Sequence, residues 1–86
     1  MATYKLSIIT PNGKVFDDQV ESLSVPGAEG SFGVLAHHAP IVALVKNGAV
    51  SINQNNTQLG YEIGPGILEV NQKGDTLLLT DKAERK

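Results

Sequence analysis

Residues 25–40, VPGAEGSFGVLAHHAP, gather the side chains of this chain best suited to chemistry. Gly27, Gly30 and Gly33 could cradle an anion, Glu29 could move a proton, and His37 and His38 could hold a metal. Each possibility makes a demand on the surrounding sequence. A dinucleotide loop needs G-x-G-x-x-G between a strand and a helix, so that phosphate meets the helix N-terminus. The spacing here is G-x-x-G-x-x-G, strand-like sequence follows it, and Glu29 would repel phosphate. A P-loop closes on Gly-Lys-Ser/Thr, yet no lysine lies between Lys14 and Lys46. Neighbouring residues of an extended chain point to opposite faces, so His37 and His38 do not converge on one ion. There is no third histidine and no cysteine to complete a site. Ser31, His38 and Asp17 can be drawn as a nucleophilic set, but no nucleophile elbow or activated thiol accompanies them. Asp17 and Asp18 read as a solvated turn rather than two carboxylates facing across a cleft. These residues predict no catalytic group, no cofactor and no metal, and a chain that is not an enzyme by itself.

The bulk properties narrow the classes further. With 86 residues the chain is one domain at most, small enough that its stability is marginal without a partner, a metal or disulfides. The absence of cysteine removes disulfides and thiolate metal sites. An apolar content of 41% and a charged content of 19% are those of a folded globular domain. The net charge is −2, and Lys5, Lys14, Lys46 and Lys73 are scattered. Binding nucleic acid takes clustered cations, so no nucleic-acid surface is expected. The longest apolar run, Ala39 to Val45, is far short of a membrane span, and the N-terminus alternates rather than forming the apolar block of a signal peptide.

The elements that must position these residues have an apolar period of 2. Tyr4, Leu6 and Ile8 fall on one face with Lys5 and Ser7 on the other; Leu23 and Val25 alternate with Ser22 and Ser24. Val50 with Ile52, and Leu59 with Tyr61 and Ile63, repeat the pattern. Pro11-Asn12-Gly13 is a turn. Lys46-Asn47-Gly48 is a hairpin signal of the primed-turn type, Asn55-Asn56 turns the chain, and Gly64-Pro65-Gly66 breaks or bulges a ladder. Nine or ten short strands bounded by turn signals predict an all-β sandwich or barrel. Asp81 and Glu84 are spaced as a helix capping pair, on a charged terminus that reads otherwise as frayed.

The stretch Pro26-Gly27-Ala28-Glu29-Gly30-Ser31-Phe32-Gly33-Val34-Leu35, followed by His38-Ala39-Pro40, resembles the signature of the epsilon subunit of F-type ATP synthases, called delta in mitochondria. The likeness continues along the chain. Leu6 to Phe16 resembles that family's opening strand pair, Val20 to Leu23 its third strand, Gly64 to Val70 its Gly-Gly-phenylalanine-x-Glu-Val element, and Leu79 to Glu84 the end of its first domain. The resemblance implies a ten-stranded β-sandwich of two antiparallel sheets over residues 1–80. Residues 81–86 would be a charged tail, the start of a helical hairpin that is missing here. It implies a non-catalytic rotor part of the central stalk, binding the gamma subunit and the c-ring and coupling proton flow to ATP synthesis. Such a part sits as a peripheral protein on the cytoplasmic face of a bacterial energy-transducing membrane, or its organelle equivalent, without inserting into it. Ala28, Glu29, Gly30 and Ser31 resemble the ring-facing loop, and His38, Ala39, Ile41 and Ala43 the gamma-facing edge.

The chain also departs from the family pattern. Ala36-His37 stands where the family has Pro-Gly or Asn, Pro65 splits the later glycine pair, and the hairpin that carries inhibition or nucleotide binding in other members does not follow. No self-inhibitory arm and no bound nucleotide are therefore expected. If the chain is a rotor part, an apolar patch should lie exposed near residues 32–45. The alternatives are a β-sandwich module for a peptide or carbohydrate, which needs exposed aromatics from Tyr4, Phe16, Phe32 and Tyr61, and a small hydrolase, which needs His38 bonded to a serine in a deep pocket.

Overall fold

The computed structural model of the chain describes residues 2–86. The alternation becomes strands β1 (Tyr4–Thr10), β2 (Gly13–Val20), β3 (Ser22–Gly27), β4 (Gly30–Leu35) and β5 (Ile41–Val45). These are followed by β6 (Gly48–Gln54), β7 (Thr57–Ile63), β8 (Gly66–Val70), β9 (Thr76–Thr80) and β10 (Ala83–Arg85). The ladder is continuous from β10 through β7, β6, β3, β5, β8, β9 and β1 to β2, with β4 on the other edge of β3. Its continuity is thin at one point. β3 pairs with β6 through Ser22, Leu23 and Ser24, and with β5 only at Gly27↔Val45. The molecule is thus a sandwich of two layers, β4-β3-β6-β7-β10 and β5-β8-β9-β1-β2, stitched at that one seam.

The core lies between the layers, because period-2 patterning gives each strand one apolar face. Leu6, Ile8, Leu68 and Leu78 from the second layer meet Leu23, Val25, Ile52 and Ile63 from the first, all with 2% exposure or less. Each such side chain contributes about 1.5–3 kcal/mol relative to an exposed one. Tyr4 belongs to this core, and its hydroxyl donates to the carbonyl of Val34 at 2.7 Å. Burial pushes the Tyr4 phenol well above its usual range. On β2 a register shift opposite Ile8/Ile9 leaves Val15 outside the ladder and turns Phe16 inward. Phe16 meets Tyr61 edge to face at 6.2 Å and closes the side of the sandwich.

Three details differ from the sequence-based expectation. The layers are not purely antiparallel: β1 runs parallel to β9, Leu6↔Thr76 through Ile9↔Leu79. A parallel pair needs a long crossover, and here the crossover is most of the chain. Lys46-Asn47-Gly48 is not a hairpin, since β5 pairs with β8 and β6 pairs with β7. It carries the chain from one layer to the other, tied by the Lys46 amide donating to the Pro26 carbonyl at 2.8 Å. The primed turn is at Asn55-Asn56 instead, with φ of 51° and 62° at the two positions. Finally, Asp81 and Glu84 do not start a helix. Ala83–Arg85 adds β10 to the edge of β7, with Arg85 lying 5.9 Å over the Tyr61 ring. The open edge of β7 offers backbone partners that outweigh one capping pair.

Two turns bear on the surfaces described next. His37 has φ of 66°, the left-handed conformation that glycine or asparagine adopts with least strain. The Gly64-Pro65-Gly66 corner is held by Thr80, whose hydroxyl lies 2.8 Å from the Gly64 carbonyl. A Cβ at Gly66 would fall on the Leu79 carbonyl, and one at Gly64 on the Asp81 carboxylate.

Candidate partner-binding surface

The second layer has an apolar outer face as well as an apolar inner one. On β5, Val45 turns to the core and Ile41 and Ala43 are half-buried, which sends Val42 and Leu44 outward at 73% and 65% exposure. Leu44 stands opposite Ile67 of β8, Ile67 opposite Leu79 of β9, and Leu79 beside Ile9 of β1. A row of aliphatic side chains therefore crosses four strands. In the adjacent row Val42 faces Glu69, and Glu69 faces Leu77. Ile67 and Leu79 are 42% and 43% exposed. Scattered exposed aliphatics are ordinary, but a contiguous set marks a contact surface.

Within residues 32–45, Val42 and Leu44 of β5 are exposed on the outer face of the second layer, and Leu35 of β4 is exposed on the first layer. Of the residues expected to face gamma, Ile41 and Ala43 present only edges, whereas His38 and Ala39 lie in the turn before β5. His38 donates through Nδ1 to the Ala39 carbonyl, 2.7 Å away. Sequence reading placed the patch within residues 32–45, on β4 and β5. It missed Ile67 and Leu79 because which strands are neighbours is a property of topology. Ile67 stands before inward-facing Leu68, and Leu79 between inward-facing Leu78 and Thr80, so period 2 could have marked both as outward-facing.

The expected ring-facing residues form the β3–β4 hairpin tip. Gly27 pairs with Gly30, leaving Ala28 and Glu29 at the apex, and all of Ala28, Glu29, Gly30 and Ser31 are exposed. Gly27 is buried because the Phe32 ring lies over it; a Cβ there would come within 2.8 Å of the ring. A groove of about 480 Å³ runs from this tip to Ala43 and Leu44. Ala43, one of the residues expected to face gamma, therefore neighbours the expected ring-facing tip.

The remaining chemistry candidates do not assemble. Asp17 accepts hydrogen bonds from Lys14 at 2.9 Å and Ser7 at 3.1 Å, and pairs with Lys5 at 3.4 Å. Lys14 above all holds its carboxyl below the usual value. No hydrogen bond joins Asp17, His38 and Ser31, and no group of three metal-ligating side chains occurs among the described residues. Tyr4 and Tyr61 are buried and Phe16 and Phe32 are half-buried, so no aromatic platform faces solvent. No helix among the described residues is long and apolar enough to cross a membrane.

Two packed layers, one of them carrying aliphatic side chains on its outer side, define a small β-sandwich domain with a surface for another protein. Residues 3–86 match the family described as ATP synthase, Delta/Epsilon chain, beta-sandwich domain, and the chain belongs to that family. Among its relatives, an ATP synthase epsilon chain of Rhodopseudomonas palustris is 40% identical over 78 residues, covering 91% of this chain and 58% of the relative. One from Sulfurovum is 38% identical over 80 residues, covering 92% and 62%. The chain thus spans about three-fifths of the length of these relatives. A chain in the Euglena gracilis mitochondrial ATP synthase superposes with a TM-score of 0.92 at 23% identity, over 99% of this chain and 54% of that one. One in the central stalk and c-ring assembly of Tetrahymena thermophila mitochondrial ATP synthase gives 0.81 at 10%, over 95% and 66%. These two superpositions establish a shared fold.

Proposed function

We propose that this domain is a non-catalytic part of the central stalk of a proton-translocating ATP synthase. The carrying observation is the aliphatic row Leu44–Ile67–Leu79–Ile9 on the outside of the second layer. In water such a face is a liability; against another protein it is the apolar centre of an interface. Gamma covers this face, and the Ala28–Ser31 tip meets the polar loops of the c-ring. The domain sits peripherally at an energy-transducing membrane, on the cytoplasmic face in a bacterium. Its work is mechanical. Continuous ladders and a close-packed core resist shear, so a turn imposed on one surface passes to the other without internal yielding. Family membership supports the reading, since the relatives are epsilon chains of ATP synthases.

The test is co-purification with gamma and with the c-ring, followed by titration of gamma. Micromolar or tighter binding, lost in a Leu44→Ser/Ile67→Ser double variant that still folds, is the expected result. Failure of the unaltered chain to bind gamma at micromolar concentration would refute the proposal.

A further inference from the structure

At one end of the aliphatic row the surface dips into a shallow, open cavity of about 390 Å³. Its walls are Ile9, Pro11, Pro65, Ile67 and Leu79, and Asp81 stands among the lining residues. Three features set it apart from the open face. First, its walls are stiff: Pro11 and Pro65 have fixed backbone angles, and the corner around Pro65 is fixed by Thr80 and by the tight approaches at Gly64 and Gly66. Second, its lining is aliphatic apart from the corner backbone, Thr10, Thr80 and Asp81. Third, the Asp81 carboxylate is in no ion pair among the described residues, although Lys82 is its neighbour in sequence. Ile9, Ile67 and Leu79 belong to both the cavity and the row, so whatever covers the row reaches the cavity.

Resting on the reading above, we infer that this cavity is the anchor point of the gamma interface. It takes one large apolar side chain of gamma while Asp81 pairs with a lysine or arginine next to that side chain. Interface energy concentrates where an anchor fills a preformed pocket. A rim charge adds steering and register more than affinity.

The experiment is titration of gamma with the unaltered chain, Asp81→Asn and Asp81→Lys at low and high salt. The chain has no cysteine, so Asn12→Cys beside Pro11 also gives a unique thiol for a photo-cross-linker. Asp81→Asn should bind about three- to fivefold more weakly at low salt, as expected for an exposed pair, with the deficit closing at high salt. Asp81→Lys should be weaker still. The cross-link should map to a gamma segment with a large apolar residue within a turn of a lysine or arginine. Unchanged binding of Asp81→Asn at low salt, a deficit insensitive to salt, or a cross-link into an acidic segment would each overturn the anchor while leaving the proposed function standing. No binding of gamma by the unaltered chain would remove both.

Discussion

His37→Gly should stabilise the domain. His37 holds φ of 66° with its side chain exposed and engaged in no hydrogen bond among the described residues. For an L-residue the left-handed conformation costs about 1–2 kcal/mol. Glycine removes that cost but adds about 0.5–1 kcal/mol of unfolded-chain entropy. The net gain is about 0.5–1 kcal/mol, which in a domain of this size raises Tm by about 3–6 °C. The measurement is urea and thermal unfolding of His37→Gly, →Asn, →Ala and →Val. The expected order of stability is Gly above Asn, Asn above His and Ala, and Val lowest, because a β-branched side chain tolerates positive φ least. The denaturant slope should stay constant across the series, since the exposed surface is unchanged. A glycine variant no more stable than the histidine protein would refute the argument.

Tyr4→Phe removes the bond to the Val34 carbonyl and should cost about 1–2 kcal/mol at neutral pH. With the folded phenol raised above its ordinary 10.0, its contribution is complete below that pH and is lost as pH climbs towards the folded value. The fall should approach ~1.4 kcal/mol per pH unit, and an alkaline stability limb unchanged in Tyr4→Phe would contradict it. Gly66→Ala should cost at least the ~1–3 kcal/mol of an overpacked site. Gly33→Ala, whose Cβ meets only the Leu23 carbonyl at 3.6 Å, should be far milder, and equal Tm values would count against the reading of the corner. The Asp17 carboxyl is depressed below its ordinary 3.8, first by Lys14. The stability it adds is present above that pH and lost as pH falls through the depressed value, so Asp17→Asn should flatten the acid limb of a denaturation profile.

Much of this was legible in the residues. Tyr4-Leu6-Ile8, Leu23-Val25 and Tyr61-Ile63 alternate so regularly that their inward faces follow from period 2, and all are buried. The hairpin tip at Ala28-Glu29 follows from its glycines. What alternation does not encode is which strands become neighbours. Asn47-Gly48 has the local chemistry of a hairpin, yet Gly27↔Val45 at the seam puts β3 between β5 and β6. The cap formed by Asp81 and Glu84 is a local preference worth about 1 kcal/mol, and it loses to the open edge of β7. The row from Leu44 to Ile9 joins four strands distant in sequence, so no window of the chain contains it. His37 had no role as a chemical group; its role is a backbone angle.

The parallel pairing of β1 with β9 bears on how the chain is made. β9 is the middle strand of the second layer, and its partner β1 is the first strand of the domain to leave the ribosome. Until Thr76–Thr80 emerges, β1 has β2 on one side and nothing on the other, and β8 lacks the strand that joins it to them. Closing so long a loop is entropically slow and comes late. A nascent chain stalled before residue 76 therefore exposes the inner face of half a sandwich, and cooperative folding of the domain waits for Thr76–Thr80.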